Sequence, residues 1–206
     1  MSNANDIATR WYGTRAKVLV GQYEAVRFEA VHRWLLPHLP EATLGSVLDV
    51  GAGSGRDAAA FAERGYSVVA VEPTDLLREE AQRLHPHSRI EWIDDRLPHL
   101  SQLRTAAYEF QLILLSAVWM HVAPEEREKS LGTLLGLLAS DGVLAFTLRL
   151  AEPEAERGMY GVSMEELESL AVAQGLQVIH SSTNEDALNR KGIMWAEIAF
   201  RRGAKI

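Results

Sequence analysis

Hydrophobic residues recur along this chain with two periods, and the alternation between them lays out an α/β order. Short, nearly continuous apolar runs bounded by turn residues read as buried strands at Ser46–Val50, 66–71, 89–93 and Phe110–Ser116. The last of these, FQLILLS, is the strongest strand signal. Between the strands the apolar spacing becomes helical. A helix opens at Arg56-Asp57 and stops at Gly65. A second, over about 75–84, starts at Thr74 or Asp75 and buries Leu76, Leu77, Ala81 and Leu84. A third runs from Pro124, with Glu125 and Glu126 in its first turn, to about Ala139, and buries Leu131, Leu134, Leu135 and Leu138. After a turn at Asp141-Gly142, residues 143–150 form a fifth strand. The capping box Ser163-Met164-Glu165-Glu166 starts a helix that Gly175 ends. Two strands close the chain, 176–182 and 193–201, joined by a loop with no helix, which makes them an antiparallel pair.

The N-terminal part is less regular. Residues 1–15 read as loosely structured, with Trp11 and Tyr12 adjacent. Residues 16–36 form one or two helices with Phe28, Val31 and Leu35 on one face, and Pro37 and Pro40 end them. Glu24, Arg27 and Arg33 fall on the wet face, and His32 and His38 read as surface histidines.

The chain is organised around the unit SVLDVGAGSGRDAAAFAERGYSVVAVE: strand, glycine loop, helix, strand. Glycines let the backbone turn sharply and approach a ligand. The helix start offers unpaired N–H groups. The acid Glu72 closes the second strand, 72 − 51 = 21 residues after Gly51, in keeping with the roughly 20 expected between such a loop and a ribose-binding acid. A nicotinamide- or flavin-binding loop requires G-x-G-x-x-G; here the third glycine comes one residue early, and Asp49 stands two residues before the first.

LDVGAGSGRD followed by VVAVEP resembles the nucleotide-binding half of the class I S-adenosylmethionine-dependent methyltransferases. The resemblance is specific over 46–150 and looser outside. It implies a three-layer αβα sandwich with a seven-stranded, mostly parallel sheet in the order 3-2-1-4-5-7-6, antiparallel at its last strand, under an N-terminal helical lid. The whole of 1–206 is then one methyltransferase domain, with 1–40 as a helical cap.

The same resemblance implies the donor site. The backbone at Gly51, Ala52, Gly53 and Gly55 passes under S-adenosylmethionine. Asp49 neighbours the methionine amino group, Glu72, followed by Pro73, holds the ribose hydroxyls, and Asp94 or Asp95 accepts from the adenine amine, with the D-x-x-L-P pattern leaning to Asp94. Ser116 lies beside the donor. S-adenosylhomocysteine is the product, and no metal is expected.

Parallel sheets bind ligands beyond the carboxyl ends of their strands, which places the acceptor-side candidates. His121 is the candidate base, because its ordinary pKa lies near neutrality; packing against the next helix is the alternative. Trp119 either shapes the acceptor pocket or fills core. Arg149 clamps an acceptor carboxylate or pairs with Glu152 or Glu154. Tyr160 follows in the next loop, and Trp11 and Tyr12 belong to the lid. Arg56-Asp57 faces the acceptor or caps its helix.

Composition narrows the function classes. A chain of 206 residues with 47% hydrophobic and 24% charged residues is globular and long enough for a substantial core. With no cysteine it holds no disulfide, thiolate metal site or cysteine nucleophile. A net charge of −7 argues against a broad nucleic-acid footprint. No run of about 18 apolar residues exists, and the first residues lack an apolar signal core, so neither a membrane partner nor export is expected and the location read is cytoplasmic. The reading is a methyltransferase acting on the O or N of a small organic molecule, monomeric or homodimeric. The alternatives are an RNA or protein methyltransferase, or a non-catalytic subunit or sensor that binds S-adenosylmethionine.

Overall fold

The structure is a computed structural model and describes residues 4–41, 45–105, 108–187 and 190–202. The two ends of the expected domain, 1–3 and 203–206, lie outside them.

Seven strands form one sheet: β1 (Ser46–Val50), β2 (Ser67–Val71), β3 (Ile90–Ile93), β4 (Phe110–Ser116), β5 (Leu138–Leu150), β6 (Leu176–Glu185) and β7 (Met194–Arg202). Their order is β3-β2-β1-β4-β5-β7-β6, as expected. The first five strands pair in parallel, and β7 runs antiparallel to both β5 and β6. The order reverses between β1 and β4, so a crevice opens beyond the carboxyl ends of these two strands.

Helices cover both faces. Against one lie α6 (Ser101–Thr105), α7 (Arg127–Leu137) and α8 (Met164–Ala173), which contribute Leu103, Leu131, Leu134, Leu167 and Ala171 to a core shared with Val50, Ile113 and Phe146. Against the other lie α3 (Phe28–His32) and α4 (Arg56–Glu63), whose Phe28, Ala58 and Phe61 pack on Val47, Ala70 and Leu114. Half of the capping box at α8 forms: Ser163 Oγ accepts from Glu166 N at 3.1 Å, while the Glu166 carboxylate turns to Arg127. Among the described residues no helix is long and apolar enough to cross a membrane.

The N-terminal segment is more ordered than its pattern indicates. Residues Ala4–Gly13 form a helix, α1, followed by α2 (Ala16–Glu24), α3 and a 3-10 turn over Arg33–His38 that carries Pro37 inside it. A long-range contact supports the order of α1, since the Arg157 guanidinium lies over the Trp11 ring, as does that of the nearby Arg15. The helix α5 (Asp75–Leu84) has the predicted bounds but half the predicted stripe: Leu77 and Ala81 are buried, Leu76 and Leu84 exposed. Its inward face is narrow because it meets Ala16 and Val20 of α2 rather than the sheet. The strand β5 begins at Leu138, so Asp141-Gly142 lies within it and not in a turn before it. His32 is the clearest correction: it is fully buried, because the face of α3 that carries Phe28 also carries His32 onto the tip of α4.

Candidate active site

The crevice holds a cavity of about 900 Å³ that reaches from the glycine loop to the last hairpin. At its floor the chain leaves β1 and folds back on β2: Gly51 N and Ala52 N both donate to Val71 O, at 2.7 and 2.9 Å. This turn takes Gly51 to φ +71° and Gly53 to φ +58°. A Cβ on Gly51 would stand 2.5 Å from Val118 Cγ2, so glycine is required there twice over, for its dihedral angle and for its missing side chain. Gly55 has a different task. It begins α4 at φ +84°, where a Cβ would run into Trp92 and His85, and it does not border the cavity.

Glu72 stands at the tip of β2, buried, and ties the loop together. Its Oε2 accepts from Gly53 N at 2.9 Å and its Oε1 from Thr74 N at 2.8 Å. Burial pushes its carboxyl up from the ordinary range, against these two bonds. Asp49, at the end of β1, is also buried, and among the described residues its Oδ2 has no hydrogen-bond partner. Burial, and then the nearby Asp57, hold its carboxyl well above the usual range. Pro73, Ala52 and Ser116 border the cavity. Of the two aspartates after β3, Asp95 borders it, accepting from Arg96 N and Gln102 N at 2.8 and 2.7 Å. Asp94 points away to Arg78, 3.6 Å distant.

A buried charged cluster, which the pattern of the chain does not reveal, sits beside Asp49. His32 Nε2 lies 2.9 Å from Asp57 Oδ2 and 3.3 Å from Ser116 Oγ. Arg56 donates to the same carboxylate from Nε and Nη2, at 2.7 and 3.0 Å. Burial raises the Asp57 carboxyl, but His32 and Arg56 outweigh it and hold it far below the usual range. Serine, histidine and aspartate here do not form a nucleophilic relay, because both partners meet the same imidazole nitrogen while Nδ1 stays buried and unbonded. The cluster instead fastens α3 to α4 and to the tip of β4. One sequence signal could have found it: Arg56-Asp57 at a helix start directly after the glycine loop.

On the opposite wall α1 meets the loop after β4. His121 Nδ1 lies 3.2 Å from Gly158 O, a group that only accepts, so this nitrogen carries the proton. Nε2 then accepts from the Tyr12 hydroxyl at 3.1 Å, and Tyr12 in turn accepts from Arg157 Nη2 at 2.9 Å. Burial pushes the His121 imidazole down to about 4, and Arg157 adds to the fall. The ring is neutral at pH 7. Tyr12 and His121 both border the cavity.

Three acceptor-side candidates do not border it. Trp119 is fully buried edge-on to Phe146, because the 3-10 turn Trp119–His121 rotates it into the core as it turns His121 outward. Trp11 faces Arg15 and Arg157 beside the cavity. Tyr160 is drawn aside by the bond from its N–H to Met120 O at 2.8 Å. Arg149 does border the cavity, but it is engaged, with Glu154 Oε1 at 2.7 Å and Glu152 O at 3.0 Å.

Residues 47–142, which carry β1 to β4, α7 and the start of β5, match the model of a methyltransferase domain family. Over this segment the chain is similar to the class I S-adenosylmethionine-dependent methyltransferases. Curated relatives agree. An uncharacterized methyltransferase of Staphylococcus carnosus is 28% identical over 120 residues, 58% of this chain and 55% of that protein. Another, of Alkaliphilus oremlandii, is 23% identical over 159 residues, 75% of this chain and 71% of that protein. The chain thus spans little more than half the length of the first relative. Among solved structures, the 1,6-didemethyltoxoflavin-N1-methyltransferase of Burkholderia thailandensis shares the fold with a TM-score of 0.60 at 22% identity, covering 92% of this chain and 89% of that one. The N-methyltransferase NodS of Bradyrhizobium japonicum does so with a TM-score of 0.63 at 16% identity, covering 83% and 85%. Both are complexes with S-adenosylhomocysteine. That ligand is the demethylated form of S-adenosylmethionine, the cofactor expected from the sequence. Among the described residues no group of three or more His, Asp and Glu side chains is placed to hold a metal ion.

Proposed function

We propose that this chain transfers the methyl group of S-adenosylmethionine to an oxygen or nitrogen of a small organic molecule. One observation carries the reading: a single cavity of about 900 Å³ runs from the glycine loop to the last hairpin, a size in the range of small-ligand sites. The net charge of −7 fits a small acceptor better than a nucleic acid. Two relatives in fold, a didemethyltoxoflavin N1-methyltransferase and the N-methyltransferase NodS, methylate nitrogen.

The residues at the donor end suit the cofactor. The unpartnered Asp49 Oδ2 is placed for an ammonium group, and a cation there would relieve the repulsion from Asp57. Each Glu72 oxygen spends one acceptor position on a backbone N–H and keeps another for a ribose hydroxyl. Asp95, rather than Asp94, has the position for the adenine edge. Bound there, the cofactor supplies a methyl group on a positively charged sulfur, already activated for displacement. The protein's part is to align the acceptor and exclude water. α1 to α3 act as the lid. Where the acceptor must lose a proton, Tyr12 takes it while passing its own to His121 Nε2, so His121 acts through Tyr12 and not by direct contact.

Titration calorimetry with S-adenosylmethionine and S-adenosylhomocysteine, with NAD as control, tests the donor site. Formation of S-adenosylhomocysteine from pools of small amines, phenols and N-heterocycles tests the acceptor class. Failure of both sulfur ligands to bind, or turnover with RNA or protein alone, would sink the reading.

A further inference from the structure

A polar row crosses the C-terminal half of the sheet. Ser116 of β4 stands opposite Thr147 of β5, Thr147 opposite Glu197 of β7, and Glu197 opposite Ser182 of β6. Residues in register project to the same side of a sheet, and all four border the cavity. The row starts beside the glycine loop and ends on the edge strand. Three of its members carry hydroxyls; Glu197 alone carries a charge.

Half of the hydrogen-bonding capacity of Glu197 is idle. Its Oε2 accepts from Ser182 Oγ at 3.0 Å and from Asn184 Nδ2 at 2.7 Å. Among the described residues Oε1 takes no hydrogen bond, and no Arg, Lys or His lies within ion-pair distance of the carboxylate. The group is half-buried, and burial raises its carboxyl from the ordinary range, opposed by the Ser182 bond, by His32 and by Asn184. The arginines on this side of the cavity cannot answer it, because Arg149 is held by Glu154 and Arg190 by Asp186. A half-desolvated carboxylate with open lone pairs and no cation is a strong acceptor waiting for a donor. Trp195, two residues before Glu197 on β7, also borders the cavity, and an indole face favours a flat or cationic nitrogen compound.

We propose that Glu197 is the acceptor-recognising carboxylate of this site, and that the acceptor presents to it a nitrogen bearing hydrogen, as an amine or an N–H heterocycle. This assigns recognition and deepens the reading above, on which it rests. Engaged arginines and a carboxylate with one oxygen open select against acidic acceptors.

Calorimetry on the full chain tests this, with and without saturating S-adenosylhomocysteine. The probes are benzylamine and benzimidazole, with benzoate as the anionic counterpart. The wild type is expected to bind the two nitrogen probes roughly ten- to a hundredfold more tightly than benzoate, the span of one charge-assisted hydrogen bond. Glu197→Gln is expected to erase that preference and leave S-adenosylhomocysteine affinity unchanged, while Glu197→Asp keeps part of it, separating charge from packing. No nitrogen preference in the wild type, whether the probes bind alike or not at all, or a preference that survives in Glu197→Gln, overturns the assignment while the donor reading stands. Failure of the wild type to bind S-adenosylhomocysteine brings down the donor reading, and this assignment with it.

Discussion

The Tyr12 hydroxyl and His121 Nε2, 109 residues apart in the chain, meet at 3.1 Å and join the first helix to the loop after β4. This contact settles the state of the imidazole. With Nδ1 bonded to a carbonyl and Nε2 accepting from a phenol, the neutral ring is satisfied at both nitrogens, whereas a protonated ring must reverse the Tyr12 bond and face Arg157.

A pH dependence follows. Burial takes His121 to about 4 in the folded chain, while an unfolded histidine titrates near 6.5. Between these values the unfolded state binds the extra proton, so stability falls as pH drops from about 6.5 to about 4, by on the order of 3 kcal/mol in all. Above about 6.5 the loss is absent. Chemical denaturation of wild type and His121→Gln across this range should show the wild type losing more stability on acidification. Parallel curves would show that the ring titrates normally.

Glu72 holds two backbone amides as well as facing the cavity. Replacing it with alanine leaves Gly53 N and Thr74 N without partners, so Glu72→Ala should cost about 1–3 kcal/mol in stability. Donor affinity should fall by a further 1.5–3 kcal/mol or so, the range for hydrogen bonds to a charged group. Thermal melts and calorimetry with S-adenosylhomocysteine measure the two separately. Intact affinity in a destabilised protein would leave Glu72 a loop brace alone.

Asp49→Asn should separate the same two quantities in the opposite sense. The substitution removes a charge that burial and Asp57 both oppose, so the unliganded protein should melt no lower than the wild type. Affinity for S-adenosylmethionine should nevertheless drop about tenfold or more, because the amide cannot answer an ammonium charge. A variant that binds as tightly as the wild type would remove Asp49 from the donor site.

Asp57 neutralises Arg56 and bonds His32 in a buried place. Asp57→Ala strands both partners and should destabilise by about 3–5 kcal/mol, the cost of breaking a buried pair on one side. Urea titration measures it. A loss under about 1 kcal/mol would mean that water reaches the cluster and screens it as at a surface.

Gly51→Ala meets two obstacles, φ +71° and Val118 Cγ2 at 2.5 Å. Pairing it with Val118→Ala clears the collision but not the dihedral cost of about 1–2 kcal/mol. The double variant should therefore recover part of the lost stability in thermal melts and stay below Val118→Ala alone. Full recovery would place the whole requirement in the collision.

The strand–loop–helix–strand unit, the order of elements and the antiparallel ending were legible because they depend on neighbours. Apolar runs, a glycine triplet and a capping box express their preferences within a few residues. Asp49, Glu72 and Ser116 were legible for the same reason, since each closes a strand whose carboxyl end must face the crevice. Where side chains point after a strand ends was not legible. Trp119 and His121 lie two residues apart, and a single 3-10 turn sends one into the core and the other to the cavity. Asp94 and Asp95 are adjacent, and the bonds from Arg96 N and Gln102 N decide which of them faces inward.

The sequence by itself determined the strands, the glycine turn and the helices between them, since these rest on local periodicity and on glycines, and its resemblance to the methyltransferases implied the sheet order and the kind of ligand the first half of the crevice suits. Tertiary structure alone decided that His32 is buried on Asp57, that His121 is spoken for by Tyr12, and that Glu197 faces the cavity with an oxygen to spare. Each of these joins residues from distant parts of the chain or different strands of the sheet. The energy of a buried charge or hydrogen bond depends on which partner arrives and how much water leaves, and neither is written in the spacing of residues along one segment.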